Sequence, residues 1–289
     1  KIIMLKKLFL LRIWKRIYLE RLGEPFIYNL ISFFYFFFGN FEKKIDYDLV
    51  PRQPYAFGLK EAFRRISLGN FNTKKILILE FGVASGAGLF NLQFIADRLS
   101  KIYNIDYEVI GFDTGKGMPL ASDYRDHPEK YKGGDFPPLN LTEDKLPKKT
   151  KIFYGDIKDT VHFIKNKLGE NDAIGFISID VDYYSSTVSC LEALKFESSS
   201  YLPSTIMYFD DINNPDHNEF CGQLLAITEF NKANQYRKIS KMTQLRNWRY
   251  FKDALWLDQM YFLHVLDHQF RDPKNTEGFK PRILDNPYL

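Results

Sequence analysis

The chain has 289 residues, with 40 Lys or Arg against 36 Asp or Glu, 45% hydrophobic and 26% charged side chains. That length suits one large α/β domain with an extension. The composition excludes disorder and a multi-span membrane protein, and a net charge of +4 is too mild for a nucleic-acid binder. Two cysteines, Cys190 and Cys221, lack metal-ligand spacing or a disulfide framework, which suits a reducing cytoplasm.

In chain order, the first segment "KIIMLKKLFLLRIWKRIYLERL" interleaves bases with apolar residues at roughly helical spacing, with Glu20 its only acid. After Pro25 comes the apolar run "FIYNLISFFYFFF", too short to cross a bilayer and interrupted by Asn29 and Ser32. Residues 1–54 therefore read as a basic, aromatic helical extension that packs on the rest of the chain, on a second subunit, or on an anionic membrane surface through residues 1–38. "YAFGLKEAFRRISLG" then reads as an amphipathic helix with a closing Gly69, "KKILILEFG" as a buried strand, and "GLFNLQFIADRL" as a helix.

Further strands are predicted at 107–113, 151–156, 173–180 and 204–211, with helical stretches "KDTVHFIKNKL" and "TVSCLEALKF" in two of the gaps. A last strand, "QMYFLHVL", is expected antiparallel at the edge. Apolar strands alternating with helices imply a Rossmann-like, doubly wound, mostly parallel sheet over residues 55–289. Residues 114–150 form a long polar insertion rich in Gly and Pro, with Asp123, Arg125, Asp126 and His127 as lid residues.

Acids end the strands: Glu80, Asp113, Asp180, and Asp210 with Asp211, while Asp156 follows just after its strand. In an open parallel sheet these carboxylates would line one common rim. Asp180 and Asp182 alone would also fit an Asp-x-Asp pair holding a nucleotide-sugar diphosphate through a metal, as in glycosyltransferases. The turn "ILEFGVASGAGLF" is the most informative stretch for weighing the readings. Gly82, Gly86 and Gly88 leave a strand and open a helix, where bare backbone accommodates a ligand. The spacing is not that of a dinucleotide fingerprint, and no Gly-Lys-Ser/Thr is present for ATP. An acid two residues before the first glycine suits a cofactor with a cationic amino-acid end and no phosphates.

On these residues the sequence resembles the class I S-adenosylmethionine-dependent methyltransferases. "EFGVASGAG" is similar to their first motif, "GFDTGKGMP" carries their second-strand acid, and "YGDIKDT" supplies a further acid. Within the class, "ISIDVDYYSST" followed by "MYFDDI" resembles the macrocin O-methyltransferase group, over roughly residues 55–265. The resemblance implies that Glu80, Gly82, Ser85, Gly86 and Gly88 hold the cofactor, with Asp113 on the ribose hydroxyls and Asp156 near the adenine. It further implies that Asp180, Asp210 and Asp211 ligate Mg²⁺ or another divalent cation, with Asp182 behind the site or facing the cofactor. Val181 and the Tyr183-Tyr184 pair depart from the group's pattern, so the substrate pocket is expected to differ.

The implied reaction is Mg-assisted O-methylation of a sugar, small-molecule or glycan hydroxyl, with Asp180 catalytic. Candidate bases are His127, on the lid, and His217 and Glu219, just beyond the Asp pair. Two alternatives stay open: a metal-dependent glycosyltransferase, and a non-catalytic protein that keeps a cofactor fold. The Phe-rich run near 33–38 would be costly to leave in water and suggests a homodimer.

Overall fold

The computed structural model describes residue 21 and residues 23–69, 71–137, 141–214, 216 and 218–276. Its helices are α1 (Phe26–Phe38), α2 (Phe41–Asp46), α3 (Gln53–Leu68), α4 (Ala87–Tyr103), α5 (Ile157–Thr160), α6 (Tyr184–Leu191), α7 (Gly222–Ala233) and α8 (Leu245–Trp248). Its strands are β1 (Lys75–Phe81), β2 (Asp106–Asp113), β3 (Thr150–Tyr154), β4 (Asp172–Ile179), β5 (Tyr201–Phe209), β6 (Arg237–Lys241) and β7 (Met260–Val265).

Side chains alternate across a strand, and β1 uses both faces. Ile76 and Ile78 enter one core with Leu59 and Phe63 of α3 and Leu89 and Leu92 of α4. Leu77, Leu79 and Phe81 enter the other, with Leu191 of α6 and Phe230 of α7. Helices on both sides explain why the central strands read as unbroken apolar runs. The strand order is β3-β2-β1-β4-β5-β7-β6. The first five strands are parallel, and β7 runs antiparallel to both β5 and β6. The expected doubly wound, mostly parallel sheet is present. Its order reverses at β1, which pairs with β2 on one side and β4 on the other, opening a crevice at the strands' carboxyl ends.

Three expectations need correction. The late strand is not the edge: β7 lies between β5 and β6, and Arg237–Lys241 forms the edge. That strand, "RKISK", was hidden because only Ile239 of its three central residues is apolar, as an edge with one solvated side permits. "KDTVHFIKNKL" is one α-helical turn followed by a 3-10 stretch, Val161–Lys167. The helix expected from Tyr55 starts at Gln53, with Pro54 in its first turn, where proline's missing N–H is harmless.

The basic segment 1–20 lies outside the described residues. Beyond it, the extension is tied to the loop after α8. The Arg21 guanidinium donates to the main-chain oxygens of Tyr47 (3.0 Å) and Asp48 (2.9 Å) and lies 4.0 Å over the Phe251 ring. Tyr47 stacks on Tyr250 with centroids 4.5 Å apart. The insertion 114–150 is also anchored. Asp126, fully buried, accepts from Ser122 N (2.7 Å), Ser185 N (2.8 Å) and Ser185 Oγ (2.9 Å), pinning the insertion to α6.

Candidate functional site

The ends of β1, β2, β4 and β5 converge on a cavity of ≈ 460 Å³ at the crevice beside β1 and β4. Its floor is the glycine turn. Gly82 has φ +88°, and a Cβ there would stand 1.9 Å from the Asp180 main-chain oxygen, so the turn can approach β4 this closely only as glycine. Gly88 opens α4 against Glu80, where a Cβ would lie 1.9 Å from Oε1.

Glu80 shares a face of β1 with Ile76 and Ile78, which turns it toward α3. It is 1% exposed, and its Oε1 accepts from the Tyr55 hydroxyl at 2.8 Å, which in turn accepts from Ser178 Oγ at 3.0 Å. Among the described residues Oε2 has no hydrogen-bond partner. Burial pushes the carboxyl up to about 8, against the opposing effects of the Tyr55 hydrogen bond and Arg52. A buried carboxyl oxygen without a donor, beside glycines that clear the backbone, fits the ammonium end of an amino-acid cofactor.

Asp113 ends β2 and organises the turn. Oδ2 accepts from the amides of Val83 and Ala84, both at 2.9 Å, and Oδ1 from Gly115 N at 2.8 Å. A carboxylate has about four lone-pair sites, so capacity remains for a ribose hydroxyl.

Asp180, Asp210 and Asp211 offer carboxylate oxygens that all lie within 4.8 Å of one another. The ladder sets this proximity: Asp180 N donates to Phe81 O (2.8 Å) and Asp210 N to Ile179 O (3.1 Å), which holds the ends of β1, β4 and β5 side by side. Burial, then the neighbouring Asp210, Asp211 and Glu80, raises Asp180 well above the ordinary carboxylate range. Asp211 rises for the same reasons, with burial first and Asp182 next. Burial also raises Asp182, eased by hydrogen bonds to Tyr131 and Asp211. Three mutually repelling, inward-facing oxygens are the donor set a hard divalent cation takes.

Several residues in or behind the lining were not singled out from the sequence. Burial would lower the Arg52 guanidinium, but Tyr55, Glu80, Asp180 and Asp210 together raise it. Tyr208 donates its hydroxyl to Asp210 Oδ1, and Gln259 its amide to the Asp210 main-chain oxygen. Tyr131, from the insertion, faces Asp182 and Asp211. Arg52 lies far from the motifs in sequence and was not findable there, whereas Tyr208 sits inside "MYFDDI", where it counted only as part of the strand. Tyr131 could have been found, as an aromatic within a lid-length insertion.

Of the residues singled out from the sequence, Glu80, Gly82, Ser85, Gly88, Asp113, Asp180, Asp182, Asp210 and Asp211 line the cavity together. Gly86 lies behind it as the left-handed cap of α4, with φ +79°. Asp156 is exposed, caps α5 by accepting from Lys158 N at 3.1 Å, and is outside the lining; its neighbour Ile157 is inside it. His127 is buried, with Nδ1 2.9 Å from Glu129 Oε1, and does not line the cavity. Glu219 is exposed and also outside it. His217 lies outside the described residues.

No family model and no curated protein matches the chain. Solved structures do. One described as CalS11, calicheamicin methyltransferase, is similar over 75% of this chain and 81% of its own, at 20% identity and a TM-score of 0.43. Its apo form, described as a TDP-rhamnose 3'-O-methyltransferase, gives 19% identity and a TM-score of 0.37 over the same 75% and 81%. The plantazolicin methyltransferase BpumL, with a substrate analogue and SAH, covers 88% of this chain and 99% of its own at 14% identity and a TM-score of 0.31.

Proposed function

We propose that this protein is an S-adenosylmethionine-dependent O-methyltransferase that uses a divalent cation, Mg²⁺ in the first instance, and acts on a hydroxyl of a sugar or related glycan. The observation that carries the reading is the meeting, in one cavity, of a partnerless buried Glu80 oxygen, a glycine floor, Asp113 and the Asp180/Asp210/Asp211 trio. A glycosyltransferase reading employs the trio but leaves Glu80, Gly82 and Asp113 without a ligand. A non-catalytic reading leaves the trio idle.

When bound, S-adenosylmethionine supplies an electrophilic sulfonium methyl, and the cation supplies positive charge beside the acceptor oxygen. Glu80 and the Gly82–Gly88 turn would hold the amino-acid end, Asp113 the ribose, and the trio the cation. In-line displacement needs the acceptor oxygen opposite the sulfur and its proton removed as the O–C bond forms. Asp182, which lines the same cavity beside the trio, is the carboxylate placed to receive that proton. Arg52 balances the carboxylates.

The reading extends to location. α1 presents Phe26, Ile27, Leu30, Phe33, Phe34 and Phe38 to solvent, within an arc about 140° wide at 3.6 residues per turn. The bases Lys1, Lys6, Lys7, Arg12, Lys15 and Arg16 precede this face in sequence. Apolar anchors beside a basic stretch match an anionic membrane surface, contacted peripherally from the cytoplasm through residues 1–38; burial of the same face in a homodimer is the competing occupant. Both free cysteines are buried, as a reducing compartment allows.

Calorimetric titration with S-adenosylmethionine and SAH, with and without Mg²⁺, tests the assignment. Micromolar binding that Asp113→Ala abolishes is expected. Heat from a nucleotide sugar with Mn²⁺, and none from either cofactor form with folded protein, overturns it. Because Asp113 also holds three loop amides, Asp113→Asn is the companion variant that separates ligand loss from loop collapse.

A further inference from the structure

The amino-acid end of a cofactor carries two opposite charges on one carbon. Glu80 suits the ammonium; the carboxylate beside it needs donors of its own. Most amides of the glycine turn are already committed. Gly82 N donates to Phe112 O (2.9 Å), Val83 N and Ala84 N to Asp113 Oδ2 (both 2.9 Å), and Gly86 N to Val83 O (2.8 Å). Among the described residues two cations line the cavity, Arg52 and Lys130. Lys130 belongs to the insertion: its Nζ lies 3.6 Å from Asp216 Oδ2 and 5.2 Å from the centre of the Tyr131 ring, on the side of Asp182 and Asp211.

Arg52 stands on the Glu80 side. Its guanidinium lies 5.2 Å over the ring of Tyr55, whose hydroxyl donates to Glu80 Oε1, and it feels the charges of Glu80, Asp180 and Asp210. Among the described residues it donates no hydrogen bond and closes no ion pair, so its five N–H donors are open in a half-buried position. The backbone holds it there against preference. With φ 52° and ψ 68° it is left-handed, a conformation that a side chain disfavours and that the surrounding structure must enforce. α3 starts at the next residue with no side-chain cap and no acid in its first turn, which leaves the positive end of its dipole uncompensated beside Arg52.

We infer that Arg52 is the carboxylate-binding residue of the cofactor site, its guanidinium taking the α-carboxylate while Glu80 takes the ammonium on the same carbon. A planar guanidinium can donate to both carboxylate oxygens at once, which fixes the orientation of that carbon as well as its charge. The site thereby reads the charge pattern of an intact amino acid. Decarboxylated S-adenosylmethionine carries the same sulfonium methyl, and Arg52 discriminates against it twice, by losing its partner and by repelling the remaining ammonium. The inference rests on the S-adenosylmethionine reading.

The probes are SAH and decarboxylated SAH, which keeps the amine, thioether, ribose and adenine, each titrated by calorimetry into the full chain. The wild type is expected to bind SAH at least about tenfold more tightly than the decarboxylated form. Arg52→Gln should weaken SAH about tenfold and hold the decarboxylated form within about twofold of the wild type or more tightly, since the repelling charge is gone. Arg52→Lys, which keeps the charge without the fork, should fall between wild type and Arg52→Gln for SAH. Arg52→Gly adopts the left-handed backbone without strain; it is the second variant should glutamine fail to fold there, and it should show the same selective loss.

Equal affinity of the wild type for the two probes, or unchanged SAH binding by Arg52→Gln, overturns the inference and leaves the cofactor reading standing. Parallel loss of both probes in the Arg52 variants also overturns it, because a merely structural role would weaken the two alike. A folded wild type that binds neither probe removes the methyltransferase reading itself, so the two failures are distinguishable.

Discussion

Replacing Glu80 by glutamine isolates the most confined charge in the site. The folded carboxyl titrates at about 8 against an ordinary value of 4.5, because burial disfavours its charged form. A raised acid stabilises the fold fully below its unfolded pKa and loses that contribution as pH rises through the folded one. At pH 7, about 2.5 units above the ordinary value, the penalty on the cofactor-free wild type is roughly 3 kcal/mol at 1.36 kcal/mol per unit. Glu80→Gln keeps the oxygen that accepts from Tyr55 but places an amide where Oε2 has no partner, at a cost of about 1–3 kcal/mol.

The variant should therefore be less stable than the wild type at pH 5 and equal or more stable at pH 8, with melting temperatures moving about 2 °C per kcal/mol. Thermal unfolding at unit pH steps, without ligand, reads the difference. Calorimetry should show S-adenosylmethionine binding weakened about tenfold, because the carboxylate that would meet its ammonium is gone. In the wild type, binding should release protons to buffer below pH 8, as the bound cation draws the Glu80 carboxyl into its charged form. A stability difference that is constant from pH 5 to 8 refutes the burial argument. Unchanged cofactor affinity refutes the assigned partner.

Saturating Mg²⁺ should stabilise the protein by about 2.7 kcal/mol at a hundredfold excess over its dissociation constant, and Asp180→Asn should remove most of that gain. Without the cation, the raised Asp180, Asp182 and Asp211 make the wild type lose stability as pH climbs above the ordinary carboxylate range; equal stability at pH 5 and 8 without the cation counts against the trio. Asp126→Ala removes three hydrogen bonds that pin the insertion to α6, and cleavage by a nonspecific protease should move into residues 114–137. An unchanged cleavage map would mean that other contacts hold this segment. Phe34→Asp with Phe38→Asp should cut co-sedimentation with phosphatidylglycerol vesicles about tenfold at unchanged melting temperature. Equal binding by the variant removes α1 from the membrane contact, and a loss of dimer by light scattering assigns the face to self-association.

The sequence by itself determined the class of fold and most of the rim. Apolar runs of strand length, alternating with helical spacings, allow few buried arrangements other than a doubly wound sheet. Glu80, Asp113, Asp180, Asp210 and Asp211 were legible because an acid following an apolar run marks a strand end. The Gly82–Gly88 turn was legible because its backbone requirement is local. Propensity could not reveal β6, whose charged residues are tolerated at an edge, nor that β7 lies inside the sheet, since partner choice is made between segments distant in sequence. Tertiary structure alone decided that Tyr55 and Ser178 cradle Glu80 and that Asp113 also braces the turn. It alone decided that Asp156, His127 and Glu219 stand outside the cavity. Those are contacts between residues up to 123 positions apart, as for Ser178 and Tyr55, and they exist only once the chain has closed on itself.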